Sequence, residues 1–481
     1  MPELILIMML LPLVGCLFVL SAPDNKTNAY SVAFFTLITN LIVILRLFSL
    51  LDINSSALSF GFEYQWLENY KLNLYFGVDA FSLLLIMAVY LALIIGLAGL
   101  NQNARKNKML LLLMLYFTSN ITAFFTAGDL LSFYVFFAGM LIPLFMLIGY
   151  CGNAKKIQIL YRFFMYNFIG ILFLLAASLI LLKFYHGNVR LEEIALVDMA
   201  PRVGILVWSV VCLAFISRIP VWPFHSWIAS VSINIKNPLV YIMVDIMPLT
   251  GLYGFARFWP LAVPDSISLY LPFIEIFTVL TMLFLALIGL VNREFMYKLF
   301  SYSTVYYLFF LLAVILPVDT LKMNIAYSLF IFLIVTSSLA VLDLQFEEKC
   351  RQQTCGYRGI LAYMPRFSFV MSFFVLTAVG LPISSLFWNN FVLISEIFRE
   401  SFGVGLWVMA ALLLVALGLL HELYVMRDLK QHETKAENIE DLSSRQQIFL
   451  AGVVAILFLS FFSSTCNLCF FLIWCYWMCY S

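Results

Sequence analysis

The sequence predicts an all-α polytopic membrane protein with about fourteen transmembrane helices. Of its 481 residues, 64% are hydrophobic and 11% are charged, and the mean hydropathy is +1.01. Soluble domains carry about 25% charged residues and about 45–50% apolar residues, so the composition excludes a soluble fold. Long apolar runs also recur along the whole chain. The net charge of +1 indicates neither a nucleic acid nor another strongly charged partner.

The apolar runs define the predicted spans, since a spanning helix needs about 20 predominantly apolar residues. The runs cover residues 3–22, 28–51, 80–100, 109–127, 129–150, 160–185, 203–230, 238–258, 269–291, 298–317, 322–345, 366–398, 404–427 and 447–465. The first run has only Glu3 as a charged residue before it, which favours a spanning helix over a signal peptide with its basic n-region.

The seventh and twelfth runs are too long for one straight helix. Pro220 and Pro223 lie in the seventh run, and Pro382 lies in the twelfth. Proline removes a backbone donor and breaks or kinks a helix. The sequence therefore predicts two broken helices among the fourteen.

Lysine and arginine predict the orientation of the bundle. With this count, most of the 27 basic residues lie in the connections of one face. Cytoplasmic loops are enriched in Lys and Arg, so this face should be the inner one, with both termini on the outer face.

Three connections are long enough for structure of their own. Residues 52–80 alternate apolar and polar side chains in places, which predicts a surface hairpin on the outer face. Residues 186–201 read as a short amphipathic helix and loop, and residues 427–447 as an exposed helix along the inner surface.

The C-terminal segment is rich in cysteine and aromatic residues. We predict a transmembrane domain over residues 1–465 and an extension of the last helix over 466–481. Cys466, Cys469, Cys475 and Cys479 lie in this extension. No polar second shell for a metal accompanies them, so we interpret them as small apolar side chains rather than a metal site.

The stretch SRIPVWPFHSW (217–227) places Arg218 and His225 at the predicted break of the seventh helix. Irregular backbone at membrane depth is tolerated where it is buried or lines a wet cavity, and ionisable residues there are functional candidates. Arg218 could bias a neighbouring ionisable group or bind an anion; alternatively, it satisfies carbonyls freed by Pro220 and Pro223. His225 could titrate near neutral pH or hydrogen-bond the broken segment.

Four further residues are candidates for a proton or ion pathway. Asp129 begins a predicted helix, where an acidic side chain also complements the helix dipole. Asp245 lies inside the eighth run and could pair with Arg218, since opposite charges attract each other in lipid. His421 and Glu422 are adjacent in the thirteenth run. They are either a displaced relay or interfacial residues near the inner face.

Several motifs occur in an order that resembles one family of membrane proteins. They are FGVDAFSLLL (76–85), GDLLSFYVFFAGMLIPLFMLIG (128–149), RIPVWPFHSW (218–227), LYGFARF (252–258), KLFSYSTV (298–305) and GLPISSLFWNNF (380–391). With the two helix breaks, they resemble the antiporter-like membrane subunits of proton-pumping NADH:quinone oxidoreductase (complex I), which are related to Mrp-type cation/proton antiporters. The MLIP stretch and the length are most similar to the chain M type, called chain 4 in mitochondria.

The resemblance implies a row of buried lysines, histidines and glutamates, and this sequence replaces several of them. The glutamate of the fifth helix falls on Ala138, and the lysine of the eighth helix falls on Leu249. The histidines of the tenth and eleventh helices fall on Tyr307 and near Phe332. The glutamate that follows the break of the twelfth helix falls on Asn390.

One cation and one histidine of the implied relay remain. The lysine before the seventh-helix break falls on Arg218, and His225 is retained. Arginine does not release its proton in ordinary service, so it cannot replace a titrating lysine. The scaffold resembles that of a pump, while the implied proton relay is incomplete.

The resemblance also implies partners and a location. The chain would work with other membrane subunits of complex I, or of a related antiporter complex, in a bacterial inner membrane or the mitochondrial inner membrane. NADH, flavin, iron–sulfur clusters and quinone would be bound by partner subunits, and we expect no redox chemistry in this chain.

Three functions stay open from the sequence. The chain could be a proton-translocating subunit with a rearranged relay. It could instead be an accessory or stand-alone subunit for ion or bicarbonate transport, or a non-conducting structural paralogue.

Overall fold

A computed structural model describes most of the chain. The described residues are 2–22, 28–52, 58–67, 72–152, 155–185, 190–191, 201–259, 264–316, 321–350, 360, 364–382, 384–427, 441 and 449–457. The predicted amphipathic helix at 186–201 and the inner-face helix at 427–447 lie almost entirely outside these residues. The predicted C-terminal extension, with its four cysteines, lies wholly outside them.

The apolar runs form helices, as predicted. In the described residues, the helices are α1 (Pro2–Ser21), α2 (Asn28–Leu50), α3 (Ala80–Ala98), α4 (Gln102–Arg105), α5 (Lys108–Thr126), α6 (Leu130–Gly139), α7 (Leu141–Cys151), α8 (Lys156–Tyr185), α9 (Pro201–Ile216), α10 (Ser226–Asn234), α11 (Pro238–Phe258), α12 (Pro264–Val291), α13 (Phe295–Ile315), α14 (Leu321–Cys350), α15 (Pro365–Val379), α16 (Ser385–Glu400) and α17 (Phe402–Arg427). Residues 449–457 are also helical.

Eleven helical segments in the described part of the chain are long and apolar enough to cross a membrane. Two shorter apolar helices, Arg202–Ile216 and Pro365–Val379, begin the two spans that were predicted to be broken. The all-α polytopic class is therefore confirmed, whereas the exact count of fourteen spans stays a prediction.

Both predicted breaks are present. The seventh span divides into α9, which ends at Ile216, and α10, which begins at Ser226. The twelfth span divides after α15, where Gly380 has a φ of 76° and its N–H donates to the Thr377 carbonyl at 3.1 Å. Glycine adopts this left-handed conformation without a steric penalty from Cβ, and it commonly ends helices in this way.

The fifth span has a local irregularity at Met140 that the sequence did not predict, although the Met140 backbone dihedrals stay helical. The helix is divided at Met140 into α6 and α7. Pro143 follows three residues later and has no N–H to donate to the carbonyl of Gly139, four residues before it. The MLIP stretch therefore loosens this helix locally, beside the position of Ala138.

Four helices form the centre of the bundle. In α3, α11, α13 and α14, 94% of the most apolar 18 residues are buried, compared with 28% in α1. Helix α14 packs against α3 and α13, and α11 contacts all three. A helix that is apolar all round and buried all round is a core helix, and the polar residues that it carries lie inside the protein.

The hairpin predicted within residues 52–80 is confirmed. Strands β1 (Ser59–Leu67) and β2 (Leu72–Val78) pair antiparallel, with Glu63 opposite Tyr75. The Tyr75 N–H donates to the Asp129 carboxylate at 2.7 Å, and the Gly128 N–H donates to the Tyr75 carbonyl at 2.8 Å. These bonds hold the hairpin against the start of α6.

Two glycines let α11 approach the end of α9. A Cβ at Gly251 would lie 2.8 Å from the Phe215 carbonyl oxygen and 3.1 Å from the Arg218 Cβ. A Cβ at Gly254 would lie 2.1 Å from the Phe215 ring. Small residues allow such close approach of helices in membranes, and here they fix the backbone immediately before the break.

We predict that Gly251→Ala destabilises the bundle. The new methyl group collides with backbone rather than with a flexible side chain, and overpacking of this kind costs roughly 1–3 kcal/mol. The melting temperature of the purified protein in mild detergent should fall by several degrees. Gly403→Ala is the matched control, because nothing lies within 4 Å of a Cβ at Gly403. Equal melting temperatures for the two variants would contradict this packing argument.

Candidate functional site

Arg218 joins three helical segments at the break of the seventh span. Its side chain is fully buried. One guanidinium nitrogen donates to the Thr250 hydroxyl of α11 at 2.9 Å, and another donates to the Phe137 carbonyl of α6. The guanidinium carbon also lies 3.4 Å from the centroid of the Phe137 ring. The acceptors therefore belong to neighbouring helices, and not to carbonyls freed by Pro220 and Pro223.

Arg218 forms no ion pair among the described residues, and its Nε has no hydrogen-bond partner there. The pairing of Arg218 with Asp245 that the sequence suggested is not present. Arg218 instead contacts the backbone next to Ala138, the position where the resemblance implies a glutamate. A carbonyl dipole thus faces the cation where the family arrangement would place a full negative charge.

His225 lies at the end of the broken segment, immediately before α10. Its Nδ1 is buried without a hydrogen-bond partner in the described residues, and its ring lies 6.0 Å from that of Phe284. The side chain makes no helix-capping bond. The expected hydrogen bond from His225 to the broken segment is therefore not seen through Nδ1.

Asp245 lies at the centre of the bundle on α11 and is 3% exposed. Ser303 on α13 and Thr336 on α14 are polar neighbours of its carboxylate. The Tyr307 hydroxyl donates to the Asp245 backbone carbonyl at 2.5 Å. Three central helices thus converge on this one buried acid.

A second buried acid, Asp343, lies on α14 and was not among the predicted candidates. Asp343 is 1% exposed and, like Asp245, is an electrostatic neighbour of the fully buried Tyr241. Asp343 lies within a predicted span, so the rule that selected Asp245, an ionisable residue inside an apolar run, would also have found it. The centre of the bundle therefore holds two carboxylates.

Among the replaced relay positions, three carry apolar side chains (Ala138, Leu249 and Phe332) and two carry polar side chains (Tyr307 and Asn390). Ala138 and Leu249 carry apolar side chains on α6 and α11. Tyr307 and Asn390 are buried polar residues, and the Asn390 amide donates to the Tyr306 hydroxyl at 3.4 Å. Phe332 is fully buried and packs 5.5 Å from the ring of Tyr306. Hydroxyl and amide groups therefore occupy part of the row in which titratable groups were expected.

A buried ion pair lies near one end of the bundle, between α13 and α17. Lys298 binds Glu422, and the two side chains are 3% and 4% exposed. His421 is 63% exposed, with its Nδ1 3.4 Å from the Lys298 Nζ. The interfacial interpretation thus fits His421, whereas Glu422 points into the protein. Lys298 is the first residue of the tenth predicted run, and only the packing of the two helices reveals its partner.

Acidic residues at the opposite helix ends have capping roles. Asp129 accepts a hydrogen bond from the Ser132 N–H at 2.8 Å at the start of α6, besides the bond that anchors the hairpin. Asp79 caps α3 and pairs with Arg257 of α11 at 2.5 Å. Carboxylates at helix N-termini complement unsatisfied N–H groups and the helix dipole.

Metal binding finds no support in the described part of the chain. No group of three or more His, Cys, Asp or Glu residues is arranged there to hold a metal ion. The chemistry that these residues can perform is proton transfer and charge stabilisation. Carboxylates can accept a proton, hydroxyls can both donate and accept one, and Arg218 supplies a permanent positive charge.

Two respiratory-chain proteins are similar to this chain over most of its length. The NADH-ubiquinone oxidoreductase chain 4 of Marchantia polymorpha is 27% identical over 463 residues, which are 94% of this chain and 92% of that protein. The NADH-quinone oxidoreductase subunit M of Rickettsia typhi is 24% identical over 470 residues, 94% of each chain.

Solved structures share the fold. A chain of respiratory complex I from Thermus thermophilus with bound NADH has a TM-score of 0.83 at 22% identity, over 95% of both chains. A chain of the membrane-bound sulfane sulfur reductase, an archaeal respiratory membrane complex, has a TM-score of 0.80 at 16% identity, over 98% of this chain and 96% of that one.

The family model for the transmembrane part of NADH:quinone oxidoreductase and Mrp antiporter subunits matches residues 127–419. The matched region exceeds half of the chain and contains both broken spans, Arg218 and the central acids. The chain therefore belongs to the NADH:quinone oxidoreductase/Mrp antiporter transmembrane family.

Proposed function

We propose that this chain is an antiporter-like membrane subunit of a respiratory NADH:quinone oxidoreductase. In that assembly it helps to couple electron transfer to proton translocation, through a rearranged row of buried polar residues. Other membrane subunits are its partners, and the redox cofactors belong to partner subunits. The membrane is a bacterial inner membrane or the mitochondrial inner membrane, with both termini on the outer face.

The buried cluster around Asp245 carries this proposal. Two acids, Asp245 and Asp343, lie in the bundle centre where a carboxylate is costly unless it serves a function. Neighbouring hydroxyls come from three different helices. A decayed scaffold would retain packing but has no need of buried acids at its centre.

Arg218 complements these acids as a fixed charge. Its hydrogen bonds to α6 and α11 hold the guanidinium in place, and it stays positive throughout a cycle. Protons then bind to and leave the carboxylates, while the positive charge of Arg218 beside α11 stays constant. The relay thus moves from titrating lysines to acids and hydroxyls.

Transport of an anion is the second candidate function. It is favoured by Arg218, whose Nε is buried and unpartnered among the described residues. An accessory subunit for ion or bicarbonate transport would use this cation to bind its substrate. A non-conducting structural paralogue is the third reading, supported by the apolar residues Ala138 and Leu249.

The first experiment is purification of the tagged chain from its native membrane in mild detergent. We expect a large complex that reduces quinone with electrons from NADH. A pure protein without an NADH-oxidising partner would reject the proposed function and favour the accessory transporter.

We predict that Asp245→Asn lowers the initial rate of NADH-driven proton uptake into inside-out vesicles by about tenfold or more, because a positioned proton-transfer group typically contributes about 10²–10⁴ to a rate. NADH oxidation by an artificial acceptor should be unchanged. Glu396→Gln is the control, since Glu396 pairs with exposed Arg399 near the end of α16. Normal proton uptake by the Asp245→Asn complex would remove this residue from the pathway.

We predict that Arg218→Lys retains more proton uptake than Arg218→Gln. Both variants can donate a hydrogen bond to the Phe137 carbonyl, but only lysine keeps the charge. Loss of a buried charge changes nearby interactions by about 1 kcal/mol or more, which corresponds to roughly fivefold or more in rate. Equal uptake in the two variants, at equal protein yield, would indicate a purely structural arginine.

A further inference from the structure

The Lys298–Glu422 ion pair is almost completely buried, although it lies near the ends of its two helices. Both side chains are almost fully enclosed, although they lie within two turns of helix ends, at the start of α13 and near the end of α17. Long side chains near helix ends ordinarily extend to the interface. Removing two charges from water costs several kcal/mol per ion, and replacement by apolar residues is often neutral or stabilising. Stability alone therefore does not account for the pair.

Close helix packing encloses the pair. A Cβ at Gly289 of α12 would lie 2.4 Å from the side chain of Ser301 on α13. A Cβ at Gly418 of α17 would lie 3.8 Å from the Gly289 carbonyl oxygen. Helices α12, α13 and α17 thus meet closely here, one turn from Glu422.

His421 connects this enclosed pair with the protein surface. Its Nδ1 lies 3.4 Å from the Lys298 Nζ and 4.0 Å from the Glu422 carboxylate, while 63% of its side chain is exposed. Histidine is the side chain that exchanges protons most readily near neutral pH. An exposed imidazole in contact with two buried charged groups has the geometry of a proton entry or exit.

Tyr302 extends this arrangement towards the bundle centre. It follows Lys298 by one turn on α13, a rise of about 6 Å. Its hydroxyl is buried without a hydrogen-bond partner among the described residues. Tyr302 is also an electrostatic neighbour of Asp245, and its ring lies 4.6 Å from that of Tyr306. A hydroxyl can accept a proton on one side and donate one on the other.

We propose that His421, Lys298 and Glu422 form a proton-transfer site between the surface and the central cluster, with Tyr302 as the link to Asp245. His421 exchanges a proton with water or with a polar group of a neighbouring subunit. The proton then moves to the Lys298–Glu422 pair and onward through Tyr302; no other reactant is consumed. This inference rests on the proposed function and assigns the path by which protons reach or leave Asp245.

The test measures NADH-driven proton uptake by inside-out vesicles that contain the assembled complex. We expect His421→Gln to lower the initial rate at least about threefold, because it removes a proton-transfer group without disturbing buried packing. The matched control is Tyr424→Gln, which introduces the same residue at a 70% exposed position of the same helix. Normal uptake by the His421→Gln complex would overturn the proposal.

A double variant separates proton transfer from a structural role of the pair. Glu422→Gln alone leaves Lys298 buried and unpaired, so it should lower both stability and proton uptake. Lys298→Leu combined with Glu422→Leu removes both charges and should restore melting temperature and assembly, but not proton uptake. Restored uptake would show a structural pair and overturn the proposal. A wild-type complex that fails to oxidise NADH would instead reject the proposed function itself.

Discussion

The structure depends on one constraint, which is that polar groups inside a membrane bundle must find their partners within the protein. The bilayer core offers no water to a broken helix or a buried side chain. Arg218 meets this constraint by joining the break of the seventh span to a carbonyl of α6 and a hydroxyl of α11. Glycines 251 and 254 allow the backbone to come close enough for this arrangement. The break, the cation and the close packing are therefore parts of one local structure.

The same constraint governs the hydroxyl residues of the central helices. Thr304 and Ser338 donate to backbone carbonyls of the preceding turn and so are satisfied within their own helices, α13 and α14. Asp245 differs, because its backbone carbonyl accepts a hydrogen bond from Tyr307 of α13 and its carboxylate has polar neighbours on α13 and α14. Polar residues that look alike in the sequence thus separate into those satisfied within their own helix and those that connect helices.

The fold is shared with solved structures, whereas this sequence replaces several of the charged residues that the family resemblance implies. The fold matches solved chains at TM-scores of 0.83 and 0.80, although sequence identity is only 22% and 16%. In this chain, that fold includes two broken spans and close helix packing at glycines. The chemistry depends on individual side chains. In this chain, buried acidic residues lie on α11, α14 and α17. The apolar residues Ala138 and Leu249 stand where the family resemblance implies a glutamate and a lysine.

The sequence by itself determined the membrane class, nearly all the helices, the hairpin and both predicted breaks, because apolar length and proline act locally. It also identified Arg218, Asp245 and Glu422 as ionisable residues inside apolar runs. It did not predict the irregularity of the fifth span at Met140, which depends on how the helix around Pro143 packs against its neighbours.

Only the tertiary structure decided which of these residues meet. Arg218 binds the Phe137 carbonyl rather than Asp245. Lys298 pairs with Glu422, which lies 124 residues later in the chain. Partner choice depends on the rotation of each helix about its axis and on close packing at positions such as Gly289 and Gly251. The apolar pattern of a wholly buried helix leaves that rotation undetermined, because all of its faces look alike.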